Sequence, residues 1–317
     1  MKICISDCDH ANINQETEVF QKNNVEFVLK QCKTEDDLIE QCQDYEVFLN
    51  QYVPFTRKVF ENMPNIKHVV RYGVGVNSVD VEAATEYGVQ ISNVPDYGMN
   101  EVADQAVALM MGLVRKTHLI NNYTKTQKWD YTKAIPIYRI PGKTVGVFGI
   151  GRIGKTFAKR MSGFDVNLIA VDPIYKIGEI VNGATIVDFD TLLKTSDVIS
   201  IHCPLDASTK YIFDIEALKK MKSSAYLINV SRGGIINEDD LLFALENGVI
   251  AGAAIDVVEN ESMSPGAKLF ELDNFLITPH IAWYSEEAAL ELKTKIAQEA
   301  CRFVKGEAVL YPINNLN

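Results

Sequence analysis

The stretch VGVFGIGRIGKTFAKR, residues 145–160, decides how the rest of the chain is read. A strand-like apolar run gives way to glycines spaced Gly149-x-Gly151-x-x-Gly154, and a helix-forming sequence follows. Each glycine has a physical task in such a strand–turn–helix. Gly149 allows the tight turn, Gly151 lets a pyrophosphate approach the backbone, and Gly154 lets the helix pack on the strand. The N-terminus of the helix then offers free N–H groups and the positive end of its dipole to phosphates. The next strand-like run ends at Asp172, about 20 residues past the second glycine, where an acidic residue accepts ribose hydroxyls and repels a 2′-phosphate. Pro173, Ile174 and Tyr175 bring no arginine to hold that phosphate, and Lys176 is a weak substitute. The expected cofactor is NAD.

Working outward, strand-like runs continue at 167–172, 197–202, 225–230, 250–256 and 275–280. An earlier series lies at 2–6, 25–30, 46–50, 67–71 and 89–93, with helical patterns such as EDDLIEQC and TRKVFENM between its members. Alternation of this kind builds parallel α/β sheets. NEVADQAVALMMGLVRKTHLI, between the two series, reads as one long helix, and SEEAALELKTKIAQEACRFVKG (285–306) as another. No internal repeat or low-complexity linker is present.

Bulk properties exclude several classes. The length of 317 residues suits two domains. A net charge of −11 argues against nucleic-acid or anionic-membrane partners, which need a basic footprint. The N-terminal MKICISDCDH lacks the apolar core of a secretory signal, and VALMMGLV (107–114) falls far short of a membrane span. Six cysteines are scattered without paired spacing. Cys4, Cys8 and His10 could be imagined as a metal clip, but no second half follows, so no metal is expected. The bland expectation is a cytoplasmic protein with reduced thiols.

An enzyme that reduces a carbonyl with a nicotinamide needs a cation for the substrate's anionic group. It also needs an acid for the developing alkoxide and a partner that keeps this acid protonated. Open α/β sheets place such groups beyond the C-terminal ends of their strands. Arg232 follows the run 225–230, Asp256, Glu259 and Glu261 follow the next, and His280 follows the last. Histidine donating to a carboxylate gains proton affinity and a fixed tautomer.

The motifs YGVGVNSVD, NVPDYGMNEVADQAVALM, GVFGIGRIG, HCPLDASTK, INVSRGGIINEDDLLFAL, AAIDVV and TPHIA together resemble the D-isomer-specific 2-hydroxyacid dehydrogenase family over nearly the whole chain. The resemblance implies a Rossmann NAD domain, residues 98–284, inserted into a flavodoxin-like parallel α/β substrate domain formed by 1–97 and 285–317. It implies that His280 is the acid/base, Glu261 its partner and Arg232 the anchor for the substrate carboxylate. The backbone of Val74 and Gly75 would bind that carboxylate as well. Beyond the glycine motif and Asp172, the cofactor contacts would be Arg152, Ile153, His202, Pro204, Ser231 and Asp256, the last at the nicotinamide carboxamide. HIAWYSEEA is similar to the subgroup that includes the C-terminal binding proteins, with Trp283 three residues after the histidine. Arg71 matches a second substrate-facing arginine of that subgroup. Val258 and Ser262 depart from the family's usual Phe and Pro around the glutamate, and the following loop is lengthened. Formate dehydrogenases of the same fold carry glutamine where Glu261 stands, which disfavours formate.

The expected activity is therefore NAD-dependent reduction of 2-oxo acids to 2-hydroxy acids. One alternative is 3-phosphoglycerate dehydrogenase, whose larger forms carry a regulatory domain that is not seen before Asn317. Another is an NAD(H)-sensing interaction module of the C-terminal binding protein type. The helix from Asn100 is apolar nearly all round, which demands burial on several sides. In the family such a helix packs across a homodimer of NAD-binding domains. Trp283 is expected to wall the substrate pocket beside His280, favouring unbranched or thioether side chains over branched ones.

Overall fold

The computed structural model describes residues 1–126, 128–260 and 268–316. The chain forms two compact units, Met1–Gly98 with Ser285–Asn317, and Met99–Tyr284.

The first unit begins β1 (Ile3–Ile5), α1 (Asn14–Lys22), β2 (Phe27–Leu29), α2 (Glu35–Gln41) and β3 (Val47–Asn50). It continues with α3 (Arg57–Asn62), β4 (His68–Arg71), α4 (Val81–Glu86) and β5 (Gln90–Ser92). The strands form one parallel sheet in the order β2-β1-β3-β4-β5. Sheets of this kind are covered on both faces, so β1 and β3 are buried throughout, and apolar apart from Asn50 at the end of β3, rather than alternating. Helix starts are marked in the sequence. Thr34 and Asp37 form a capping box on α2, and Asp80 accepts from Ala83 N at the head of α4.

The second unit opens with α5 (Met99–Val114) and α6 (Thr117–Lys125), then β6 (Thr144–Phe148), α7 (Arg152–Met161) and β7 (Asn167–Val171). There follow β8 (Ile180–Val181), β9 (Ala184–Ile186), α8 (Phe189–Thr195), β10 (Val198–Ile201), α9 (Ile215–Lys220), β11 (Tyr226–Asn229) and α10 (Glu238–Glu246). β12 (Gly252–Ile255) and β13 (Phe275–Ile277) complete it, and α11 (Glu286–Val304) then returns to the first unit, packing on α1, β3 and β4. The eight strands run β13-β12-β11-β10-β6-β7-β9-β8, parallel except for the β8–β9 edge hairpin. Strand order reverses at β6 and β10, so their C-terminal ends open the crevice where such sheets bind ligands. This is the α/β architecture that the alternation predicts, with a Rossmann-type sheet in the second unit.

One expectation is corrected. The single helix over 100–120 breaks after Val114: Lys116 N bonds Leu113 O at 3.0 Å, and Lys116 turns the chain at φ +52° before Thr117 restarts the helix. A tightened last turn followed by a left-handed residue ends a helix without glycine or proline, so no breaker residue announced it. No helix of the described residues is long and apolar enough to cross a membrane.

Candidate active site

In the second unit the glycine motif folds as a cradle. Gly149 turns at φ +92°, and a Cβ there would stand 2.7 Å from Cys203 N, so the β6 turn and the β10 turn touch. A Cβ on Gly154 would run into the Gly149 carbonyl, which fixes how closely α7 sits on the turn. A Cβ on Gly151 would meet open space, leaving the backbone approachable. The first backbone bond of α7 is Lys155 N to Gly151 O at 2.9 Å. Among the described residues, the N–H groups of Gly151, Arg152, Ile153 and Gly154 therefore donate to nothing, as expected of a helix start without a side-chain cap. Asp172 closes the cradle: its Oδ2 accepts from Ile150 N at 2.9 Å and its Oδ1 from Ile174 N at 3.0 Å. Each oxygen keeps a lone pair for a hydroxyl. Four aimed N–H groups with a carboxylate at the next strand end suit a pyrophosphate joined to a ribose, so these residues fit NAD.

His202 and Pro204 follow β10. The His202 imidazole turns inward, its Nε2 sharing a hydrogen bond with Ser200 Oγ at 2.8 Å and its ring lying 5.0 Å from that of Phe157. Burial pushes it down to about 3, so it stays neutral. The Pro204 carbonyl accepts from Thr209 Oγ1 at 2.8 Å. After β11, buried Asn229 staples the next turn, donating to Arg232 O at 2.7 Å and accepting from Ser231 N at 3.0 Å. Ser231 Oγ donates to Ile201 O at 2.9 Å, and Arg232 Nη1 to Ser231 O at 2.6 Å. Gly233 packs so closely on the Val258–Glu259 backbone that a Cβ there would overlap it. The arginine turn and the carboxylate-rich turn are thus neighbours. Glu261 and Ser262 lie outside the described residues.

Asp256, almost fully buried, organises the turn after β13. Its Oδ1 accepts from Thr278 Oγ1 at 2.5 Å and Ile281 N at 3.1 Å, and its Oδ2 from Ala282 N at 2.9 Å. Its own carbonyl accepts from His280 N at 2.7 Å. His280 sits between those anchors at φ +50°, a left-handed conformation that costs a non-glycine residue energy and needs such over-determination. Burial raises the Asp256 carboxyl, while the bonds from Thr278, Ala282 and Ile281 pull it back down. Nothing in the sequence foretold that Asp256, from one strand end, builds the turn that presents His280 from the next. Thr278 and Gln105, whose Nε2 donates to Thr278 Oγ1 at 3.2 Å, were missed for the same reason. Trp283 is half-buried, its indole edge-on to Tyr284 at 5.4 Å.

In the first unit, Arg71 ends β4 and the loop Gly73–Val76 follows. The loop is held by its carbonyls: Gly73 O accepts from Val94 N at 3.0 Å and Val74 O from Asn93 Nδ2 at 2.6 Å. Among the described residues the N–H groups of Val74 and Gly75 have no acceptor, which leaves two backbone donors for an anion. No group of three His, Cys, Asp or Glu among the described residues could hold a metal ion.

The model of the NAD-binding domain of D-isomer-specific 2-hydroxyacid dehydrogenases matches residues 107–282. The chain belongs to this family. Membership places it among NAD-dependent oxidoreductases acting on the CH–OH group of hydroxy acids. It is 36% identical over 93% of its length to a D-3-phosphoglycerate dehydrogenase of Archaeoglobus fulgidus, of which it spans only 56%. It is 35% identical over 86% of its length to a glycerate dehydrogenase of Methylorubrum extorquens, of which it spans 87%. The solved NAD-dependent formate dehydrogenase of Staphylococcus aureus in complex with NAD superposes over both whole chains with a TM-score of 0.90 at 27% identity.

Proposed function

We propose that the protein reduces a small 2-oxo acid to its D-2-hydroxy acid with NADH. The observation that carries this reading is the Asp256-built turn, which holds His280 in a left-handed conformation at a strand end of the sheet that bears the glycine cradle. Bound NADH supplies a hydride to the keto carbon. His280 gives the proton to the keto oxygen, with Glu261 as its carboxylate partner. Arg232 anchors the substrate carboxylate on the cofactor unit. Val74 and Gly75 are the anion-binding pair of the other unit, with Arg71 at the head of their loop. Residues 151–154 take the pyrophosphate, Asp172 the adenosine ribose, and the turns at His202–Pro204, Ser231 and Asp256 the nicotinamide half. A panel of 2-oxo acids, including 3-phosphohydroxypyruvate, assayed with NADH and with NADPH tests the reading. Binding of NADH without turnover of any of them would make the protein a sensor instead.

The active form is proposed to be a homodimer through the NAD-binding units. Val107, Met111 and Val114 of α5 are left half-exposed. The segment after α6 displays Trp129 at 95% and Tyr131 at 77% exposure, with Ile135 and Tyr138 also exposed. Apolar exposure of that density marks an interface. A monomer mass in sedimentation would refute it. The cytoplasm is the proposed compartment, in keeping with six cysteines that all remain thiols, although the Cys4 and Cys42 sulfurs lie only 3.9 Å apart.

A further inference from the structure

The strand ends of the first unit carry a second fixed charge besides Arg71. Asp9 follows β1; its N–H donates to Gln51 Oε1 at 2.9 Å, and its Oδ1 accepts from Gln51 Nε2 at 2.5 Å. This two-way pair fixes a carboxylate that stays exposed. Gln51 is held in turn, because its N–H and that of Val53 each donate to Asp7 at 3.1 Å, and that of Tyr52 at 2.5 Å. Asp7 is buried and also takes Ser6 Oγ and Asn50 Nδ2. The turn after β3 is thus wound on Asp7, and Asp9 is tied to that turn.

β1, β3 and β4 are neighbours, with Asn50 of β3 opposite Arg71 of β4. Asp9, Tyr52 and Arg71 therefore come from adjacent strands at the edge where open parallel sheets hold ligands. The Tyr52 phenol is raised by partial burial and by the Asp9 charge, and lowered by Arg71, which couples the three strand ends electrostatically. The Arg71 guanidinium packs against Gly73, where a Cβ would overlap it, so this cation belongs to the anion loop. The edge carries one guanidinium and one pair of N–H donors, enough for one carboxylate, together with an immobilised negative charge from a neighbouring strand end.

We propose that Asp9 is a specificity-determining residue that selects 2-oxo acids with no second anionic group, by repelling phosphorylated or dicarboxylic ones. This rests on the 2-oxo acid reductase reading above. Exclusion by a fixed like charge is the repulsive half of specificity, and at a surface site it is expected to be worth about tenfold.

The test compares hydroxypyruvate with 3-phosphohydroxypyruvate in the wild type, Asp9→Asn and Asp9→Glu. The wild type should favour hydroxypyruvate by about tenfold or more in kcat/KM. Asp9→Asn, which keeps both bonds to Gln51, should narrow that ratio about tenfold, and Asp9→Glu should retain it. High salt should narrow it in the wild type and leave it alone in Asp9→Asn. A wild type that prefers the phosphorylated acid, or an Asp9→Asn ratio equal to that of the wild type, overturns the proposal. The same ratio is read from dissociation constants by quenching of bound-NADH fluorescence. If no 2-oxo acid is turned over, the reductase reading falls, and the binding ratio still decides the role of Asp9.

Discussion

Acidification from pH 7 to pH 5 is expected to weaken the first unit through one histidine, by an amount its surroundings allow to be worked out. His68 of β4 has none of its surface exposed. Its Nε2 shares a hydrogen bond with Ser92 Oγ at 2.9 Å, its ring lies on Phe303 of α11 with centroids 4.4 Å apart, and its Nδ1 has no partner among the described residues. Burial alone pushes the imidazole down to about 3. In the unfolded chain it titrates near 6.5. The folded pKa is the lower of the two, so the full stability is present above about 6.5 and is lost as the pH falls from there toward 3. Each pH unit in that window is worth about 1.4 kcal/mol, which makes the loss about 2 kcal/mol at pH 5. Glu16 and Glu299 of the same unit work in the opposite sense, since burial raises their carboxyls and protonation relieves them. Comparison with a variant cancels their contribution. Urea unfolding of the wild type and His68→Gln at pH 7, 6 and 5 should show the wild-type advantage shrinking by about 2 kcal/mol. Parallel curves would mean that the imidazole finds a proton or water in the folded state and that the burial argument is wrong.

Three further outcomes bear on the chemistry. His280→Gln should keep its affinity for NADH, read by nicotinamide fluorescence, and lose turnover by a factor on the order of hundreds; unaltered turnover would place the proton donor elsewhere. Asp172→Ala should move the ratio of specificity constants for NADH and NADPH toward NADPH, because the charge facing a 2′-phosphate is gone; an unchanged ratio would contradict its role. Trp283→Ala should raise KM several-fold for 4-methylthio-2-oxobutanoate and hardly at all for pyruvate, since a thioether on an indole is worth about 0.3–1.5 kcal/mol. Equal losses on both, with a lowered Tm, would make the indole structural.

What the sequence made legible followed from rules that act over short distances. Gly149, Gly151 and Gly154 are read from spacing because a strand, a turn and a helix start are consecutive in the chain. Arg232 and His280 are read because a parallel sheet sends successive strand ends to one edge, so alternation alone placed them there. Asp256 was legible as a residue and illegible in its role. Its bonds to Thr278, Ile281 and Ala282 span 22 to 26 positions and exist only because β12 and β13 are adjacent. The run at the N-terminus was legible in the opposite sense. Cys4, Cys8 and His10 are half of a metal clip with no second half, and say little more. Folded, Cys4 faces a core with Cys32 and Cys42, while Cys8 N turns to Gln31 Oε1 at 3.0 Å. The informative residues of that run were Asp7 and Asp9, which differ in sequence by only two positions. One is buried under donors from β3 and the turn after it, and the other is held in solvent by a single glutamine of that turn. That both carboxylates are held from β3 and the turn after it depends on which strands lie beside β1. Strand order, unlike strand existence, is not written in any local pattern.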